Sequence, residues 1–149
     1  MDEKQHKMIT FTENLAALLQ TAFDRRGMIL PVLCNADGLN SLPQFCLLTL
    51  SSADERVDFN RTYQLTYTLE AGLRLPLFAQ EVPPPFDGWS ATVQDAVQDA
   101  LGSLSKYQPL PGQPAGSPMV LQCWLGTPQA QASEAGYAAT LDLNMVVQF

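Results

Sequence analysis

Two long segments of this chain alternate strictly between apolar and polar residues, and this pattern constrains the fold more than any other feature. In residues 63–75 the apolar side chains fall on one parity, with threonine, glutamine, glutamate, glycine and arginine on the other. In residues 137–149 every odd position is apolar. Successive side chains of a β-strand point to opposite faces, so both segments are predicted to be strands with one buried and one solvated face.

The first of these strands is long for a chain of 149 residues. Fully extended, it would span roughly 43 Å, whereas a domain of this size is about 30 Å across. We therefore expect it to curve, to bend at Gly72 or to project as an arm. Residues 45–50, FCLLTL, predict a partner strand buried on both faces, with a short buried helix as the alternative. The polar residues 51–60 predict an open hairpin turn.

A helix is predicted near the N-terminus. Thr10 and Glu13 have capping-box spacing, which places the start of the helix at about Phe11. Apolar residues then recur every three or four positions until Gly27, a typical helix terminator. Residues 1–9 are polar and are expected to form a flexible N-terminal segment.

A second helix is predicted after three consecutive prolines. Asp87 or Ser90 is expected to cap it. The apolar residues that follow recur at helical spacing and form a core face. Asp95 and Asp99 lie one turn apart on the opposite, acidic face.

The remaining segments read as short extended pieces and connections. Pro31 is expected on a sheet edge or at a strand end, because proline cannot donate to a ladder. Residues 105–118 are rich in proline and glycine and predict a mobile loop without a ladder. Residues 119–126 predict another strand, separated from the last one by a turn. Residues 1–149 are thus expected to form a single α+β domain, a mostly antiparallel sheet with a long β-hairpin packed against two α-helices.

Composition narrows the classes of function. Charged residues make up only 15% of the chain, which leaves a sparsely charged surface that favours a protein partner. The net charge of −7 disfavours sequence-specific binding of nucleic acid. The N-terminal residues lack the apolar stretch of a signal peptide, and no run is long enough for a membrane span. We therefore expect no membrane partner and no export by that route.

No pattern of residues points to catalysis. His6 is the only histidine, which disfavours a histidine-based triad or a multi-histidine zinc site. Three widely spaced cysteines predict buried, reduced thiols in a cytoplasmic setting, namely Cys34, Cys46 and Cys123. No glycine context matches a nucleotide-binding fingerprint. We expect no enzyme activity, no cofactor and no metal.

Three acidic residues cluster in the predicted hairpin turn. Asp54, Glu55 and Asp58 are oxygen ligands of the kind that bind divalent cations. A solvated turn, with Arg56 and Arg61 as counter-charges, is the favoured interpretation.

Three residues are candidates for a protein interface. Arg61 and Arg74 bracket the long strand, and arginine is enriched in interfaces. Val146 interrupts the polar parity of the last strand, which makes the outer face near it a candidate contact patch.

The order of the elements resembles that of the tail terminator, or tail completion, proteins of bacteriophages and phage-tail-like particles. Four segments in sequence carry the resemblance: LPQFCLLTL, RTYQLTYTLEAGLRLP, WSATVQDAVQDALGSL and the terminal YAATLDLNMVVQF. They cover roughly residues 10–149. The triple proline and residues 105–118 depart from the simplest form of the pattern.

The resemblance implies a non-enzymatic virion protein. Such a subunit forms a hexameric ring that caps the tail tube, stops its polymerisation and offers a surface for head-tail joining. It implies as partners further copies of the chain, the tail tube protein and the head-tail connector protein, in a tail assembled in the host cytoplasm. DNA would pass through an acidic lumen, for which Asp95 and Asp99 are candidates. The alternative is an acidic secretion chaperone that binds an extended protein segment as a dimer.

Overall fold

The computed structural model describes residues 3–55, 62–75, 82–104 and 107–149. In this part of the chain the helices are α1 (Glu3–Arg25) and α2 (Phe86–Gly102), with a short 3-10 helix at Leu39–Ser41. The strands are β1 (Val32–Leu33), β2 (Gln44–Glu55), β3 (Thr62–Arg74), β4 (Gln108–Pro109), β5 (Met119–Leu125), β6 (Gln129–Ala132) and β7 (Gly136–Gln148).

The strands form one curled sheet in the order β1-β2-β3-β7-β5-β4, with β6 paired to β7. Only β1 and β2 run parallel among these pairs. β7 lies between β3 on one side and β5 and β6 on the other, so the last strand of the chain is central. The predicted α+β class and long β2-β3 hairpin are confirmed.

The core lies between the two helices and one face of the sheet, which we call the inner face. The apolar parity predicted from the sequence is buried on both long strands, and β3 contributes Tyr63, Leu65, Tyr67, Leu69, Ala71 and Leu73. The same face of β7 contributes Ala139, Leu141, Leu143, Met145 and Val147. Each large aliphatic side chain buried here stabilises the fold by about 1.5–3 kcal/mol.

Helix α1 begins at Glu3, so the predicted start at about Phe11 is wrong. Thr12 Oγ1 donates to the carbonyl oxygen of Met8 at 2.9 Å, an intrahelical bond that a residue at a helix start could not make. Nothing before Phe11 breaks a helix, and Lys7 pairs with Glu3 at 3.4 Å across one turn. The helix therefore continues upstream through the described part of the segment predicted to be flexible.

Helix α2 confirms the second predicted helix but not its cap. Pro85 occupies the N-cap position, and no side chain caps the helix. Ser90 Oγ instead donates to the carbonyl oxygen of Asp87 at 3.3 Å, inside the first turn. The preceding prolines fix the chain direction, so the helix starts at Phe86 without the help of a polar cap.

Strand β2 is longer and less buried than predicted. Residues 51–55, predicted as part of a turn, belong to β2, and residues 52–55 pair with β3 after a bulge at Ser51. The prediction that this strand is buried on both faces is also wrong. Cys46 and Leu48 on the inner face are buried, whereas Thr49 on the opposite face is exposed. Pairing with β3 extends this strand beyond its apolar residues.

Two segments predicted as connections contain short strands. β4 lies within residues 105–118 and pairs with β5, so the prediction of a loop without a ladder is wrong. Leu110 anchors this segment, since it is 3% exposed. Pro109 is tolerated because β4 lies at the edge of the sheet. β6 occupies part of the turn predicted before the last strand.

Candidate interaction surface

The outer face of the sheet, opposite the helices, is largely polar. One row across β2, β3, β7 and β5 places Ser52, Thr66, Asn144 and Trp124 side by side, and the indole of Trp124 is 39% exposed. Both helices bury their apolar residues against the inner face. In the part of the chain that the structure describes, the outer face is therefore left to solvent.

Hydrogen bonds between neighbouring strands order this face. Thr66 Oγ1 lies 3.1 Å from Asn144 Oδ1 and donates to it. The hydroxyl oxygens of Ser51 and Thr68 lie 2.6 Å apart and share a hydrogen bond. Such pairs contribute a few tenths to about 1 kcal/mol each, and they hold the polar side chains in fixed positions.

A trough of about 390 Å³ lies at one end of the outer face, where β2 begins and β3 ends. We call it the Arg74 trough and define it by Phe45, Gly72, Arg74, Gly136 and Ala138. The register sets Phe45 and Ala138 on either side of Gly72, and Gly136 beside Arg74. The guanidinium carbon of Arg74 lies 5.0 Å from the centroid of the Phe45 ring, a cation-π contact. The trough thus combines one positive charge with a floor of small residues.

Two glycines are required for this geometry. A Cβ at Gly72 would lie 2.5 Å from Cζ of Phe45, so only glycine lets the ring lie across β3. Gly136 has a φ of +151°, and a Cβ there would lie 1.9 Å from the carbonyl oxygen of Leu73. The close approach of backbone at these positions excludes any larger residue without a local shift.

The guanidinium of Arg74 has unused hydrogen-bonding capacity. Its Nη2 donates to Asn40 Oδ1 at 3.4 Å, a long bond. Its Nε is buried without a partner, and no carboxylate of the described residues forms an ion pair with it. A guanidinium carries five N–H donors in a planar fork that matches a carboxylate or phosphate. The chemistry of the trough therefore suits an oxyanion.

The three predicted interface residues have different positions. Arg74 lies in the trough, and Arg61 lies outside the described residues. Val146 is on the outer face, as its parity implies, but is only 4% exposed. It lies between Gln64 of β3 and Gln122 of β5. Val146 therefore does not present an exposed apolar patch.

The two predicted lumen residues lie on the helical side of the molecule, away from the Arg74 trough. Asp95 and Asp99 are on the exposed side of α2. Arg26, just beyond the end of α1, forms an ion pair with the carboxylate of Asp99, and its Nη2 lies 3.4 Å from the carbonyl oxygen of Asp95. The carboxylate of Asp99 thus joins the two helices, while that of Asp95 remains exposed.

The cysteines only partly follow the prediction of buried thiols. Cys46 is buried, but Cys34 is exposed and Cys123 is half-buried. Desolvation raises the pKa of each thiol, and Glu13 adds to the rise in the pKa of Cys34. A raised pKa lowers the fraction of thiolate, the reactive form.

The predicted acidic turn is only partly described. Asp54 and Glu55 are exposed at the end of β2, whereas Asp58 and Arg56 lie outside the described residues. Across the described ranges, no group of three or more His, Cys, Asp or Glu side chains is placed to hold a metal ion. Neither described helix is long and apolar enough to cross a lipid bilayer.

A second, apolar groove of about 450 Å³ lies between the end of α1 and the start of α2. Met28, Ile29, Pro84 and Trp89 line it, and Ile29 is 79% exposed. Trp89 is fixed by a hydrogen bond from its Nε1 to Gln44 Oε1 at 3.2 Å. This groove lies at the triple proline, which the sequence predicted only as a spacer.

The sequence did not reveal the Arg74 trough, although one signal was present. Gly72 falls on the solvated parity of an otherwise regular strand, where glycine often marks a close approach of another group. The prediction considered only a bend there. Locating Phe45 over Gly72 requires the register between β2 and β3, which the sequence pattern alone does not fix.

In the described ranges the chain is thus α+β, with helices on one face of a mostly antiparallel sheet and a polar opposite face that neither helix covers. In comparisons with known proteins, no protein-family model matches the sequence and no curated protein matches it. Function is therefore inferred from the fold and from the outer face.

Proposed function

We propose that this protein is a non-enzymatic, ring-forming subunit that resembles phage tail terminators. In this role it caps a tail tube, stops the polymerisation of the tube and provides the surface for head-tail joining. Its partners are further copies of the chain in a hexamer, the tail tube protein and the head-tail connector protein. Its place is the virion tail, after assembly in the host cytoplasm.

The observation that carries the proposal is the uncovered outer face with an open strand edge on each side. β1 pairs with β2 only at Cys46 and Leu47, and β4 pairs with β5 only at Met119 and Val120. Residues 48–55 and 122–125 therefore have no strand on their outer side among the described residues. Open edges favour pairing with other chains, and a closed ring covers them in every subunit.

The helical side supplies the acidic surface that a DNA-conducting ring needs. The chain carries a net charge of −7, and Asp95 is exposed on α2. A lumen lined with carboxylates repels the phosphates of the genome and prevents it from sticking. We assign Asp95 and Asp99 to this lumen, with Asp99 also tied to Arg26.

The proposal is tested by measuring the solution mass of the purified full-length chain together with negative-stain images. Six-fold rings with a central hole and a hexamer mass are expected. A stable dimer would instead favour the secretion-chaperone alternative, and a monomer at every concentration reached would contradict both.

A matched pair of variants shows whether the rings use the open edge. Thr49→Lys places a charge on the exposed part of β2 and is expected to dissociate the rings. Thr21→Lys places the same charge on an exposed position of α1 and is expected to leave them intact. If the two substitutions affect ring formation equally, the open edge of β2 is not part of the interface.

A further inference from the structure

We propose that the Arg74 trough binds a carboxylate of a second copy of this chain, supplied by the far end of β2. We call residues 51–55 the β2 tip, and its carboxylates are Asp54 and Glu55. This contact deepens the self-association proposed above and rests on it. It names the chemistry that joins one subunit to the next.

Among the described residues, no carboxylate pairs with Arg74 in the trough. The planar guanidinium of Arg74 is held against Phe45, which limits its motion. Its one hydrogen bond among the described residues, to Asn40, is long. Gly72 makes room for the Phe45 ring and Gly136 for the carbonyl oxygen of Leu73, so neither position adds a side chain that would compete for Arg74. A carboxylate would pair with the Nη donors of Arg74 through charge-assisted hydrogen bonds.

The β2 tip provides the matching group. All five of its residues are exposed, although they remain hydrogen-bonded to β3 on one side. Ala53 and Glu55 are exposed although they pair with buried residues of β3, Leu65 and Tyr63. Asp54 and Glu55 have no ion-pair partner among the described residues. Within the described residues, the tip is therefore an exposed, acidic end of the hairpin whose carboxylates form no ion pair.

Side chains rather than backbone are expected to make this contact. The bulge between Leu50 and Ser52 interrupts the regular edge at the start of the tip. Bulges and charged residues are devices that prevent simple strand addition at a sheet edge. Residues 48–50 keep a regular open edge for pairing, whereas the tip discourages backbone pairing and presents its carboxylates for recognition by charge.

The two halves of the contact cannot meet within one chain. Gln44 pairs with Leu73 beside the trough, whereas Glu55 pairs with Tyr63 at the other end of the hairpin. Eleven residue steps along β2 separate Gln44 from Glu55, at most roughly 36 Å of extended strand. A contact between different surfaces of identical subunits is head-to-tail, and such contacts generate closed rings or filaments.

The surroundings of Arg74 favour a single carboxylate over a polyanion. Glu70 lines the same trough, roughly 13 Å along β3 from Arg74. Glu134 lies in the turn before β7 and is exposed. These negative charges oppose a nucleic-acid backbone but leave room for one acidic side chain in contact with Arg74.

A charge-swap series tests the contact by sedimentation of the full-length chain. Arg74→Glu and the double change Asp54→Lys/Glu55→Lys are each expected to weaken self-association about tenfold or more. The two sets combined restore opposite charges and are expected to recover most of the lost affinity. Matched controls with the same changes in charge at exposed positions, Arg25→Glu and Glu13→Lys/Asp37→Lys, are expected to have little effect.

The results of this series distinguish a failure of the Arg74 contact from a failure of the proposed function. Rings that form normally with Arg74→Glu, or a combined variant that does not recover, overturn the contact while the ring proposal stands. A wild-type chain that is monomeric at every concentration overturns both. If Arg74→Glu loses its thermal transition, Arg74→Gln takes its place, and it must weaken association more than Arg25→Gln does.

Discussion

The inner and outer faces of the sheet are made from the same strands but differ in burial, polarity and chemistry. On β3, Leu69 is fully buried while the next residue, Glu70, is exposed. The inner face packs against both helices, whereas hydroxyl, amide and charged groups dominate the outer face. Because side chains alternate along a strand, the residues of one face stabilise the fold and those of the other face are free for recognition.

The largest loss of stability is expected when the C-terminal end of β7 is deleted. Deletion of residues 146–149 removes the pairing of β7 with the ends of β3 and β5, together with the fully buried Val147. It also removes Phe149, whose ring centroid lies 5.3 Å from that of Tyr63. We expect loss of the cooperative thermal transition, measured by circular dichroism, and loss of assembly.

Gln148→Ala is the control for this truncation, because it keeps the length of β7 and changes one half-buried polar side chain. It is expected to lower the melting temperature only slightly. A truncated chain with the melting temperature of the full chain would show that the end of β7 is dispensable.

Adjacent residues of β3 separate the two faces directly. Leu69→Ala is expected to lower the free energy of unfolding by about 2–5 kcal/mol, since it leaves a cavity in the core. Thr68→Ala removes a hydroxyl contact with Ser51 and is expected to cost less than about 1 kcal/mol. Urea denaturation of both variants measures the contrast, and equal costs would contradict the assignment of the faces.

Alkaline pH is expected to lower the free energy of unfolding, because Tyr67, buried on the inner face, loses its proton more readily in the unfolded chain. Burial raises the pKa of Tyr67 to about 12 from 10.0, although its bond with Thr12 acts in the opposite direction. The unfolded chain therefore releases this proton first. The stabilising contribution is complete below pH 10 and declines between pH 10 and 12, by about 3 kcal/mol in all.

Tyr67→Phe is expected to flatten this part of the profile of unfolding free energy against pH. Tyr107→Phe, at a position that is 66% exposed, is the control and should leave the slope unchanged. Identical slopes for wild type and Tyr67→Phe would exclude Tyr67 as the titrating group.

On the outer face, a substitution in the Arg74 trough is expected to have an intermediate effect on the free energy of unfolding. Gly72→Ala is expected to cost about 1–3 kcal/mol, because the new Cβ collides with the Phe45 ring. The same substitution in a Phe45→Ala background should cost less, since the obstacle is gone. Gly136→Ala should not be relieved by that background, because its obstacle is the carbonyl oxygen of Leu73. A cost of Gly72→Ala independent of residue 45 would contradict the described packing.

The smallest effect is expected at the exposed ion pair between the helices. Asp99→Asn removes the charge that contacts Arg26, and the side chain of Asp99 is 66% exposed. Surface pairs of this kind contribute up to about 1 kcal/mol. Asp95→Asn is the matched control, since Arg26 approaches only the backbone oxygen of Asp95. Equal melting temperatures for the two variants would show that the pair adds no stability.

The sequence predicted those parts of the fold that local periodicity controls. The parity of β3 and β7 follows from two strict alternations, and both helices follow from apolar spacing. The start of α1, the uncapped start of α2 and the strand β4 escaped prediction, because continuation of a helix and pairing with β5 decide them. Long-range pairing is not encoded in any short pattern.

The candidate site was predictable only in part. Arg74 was identified because arginine is common in interfaces, but its stacking on Phe45 depends on a register between strands that are distant in sequence. For Val146, the sequence predicted the face of the sheet but not the burial of the side chain. Its parity was correct, yet its burial between Gln64 and Gln122 depends on neighbours that the alternation cannot identify.

Amide hydrogen exchange at low and high protein concentration tests most directly whether the open side of the sheet is the assembly surface. Exchange in residues 48–55 and around Arg74 is expected to slow as the mass increases, while α1 residues in the core, such as Leu15 and Leu19, stay unchanged. An increase in mass with no change in residues 48–55 would contradict this assignment and place the interface elsewhere.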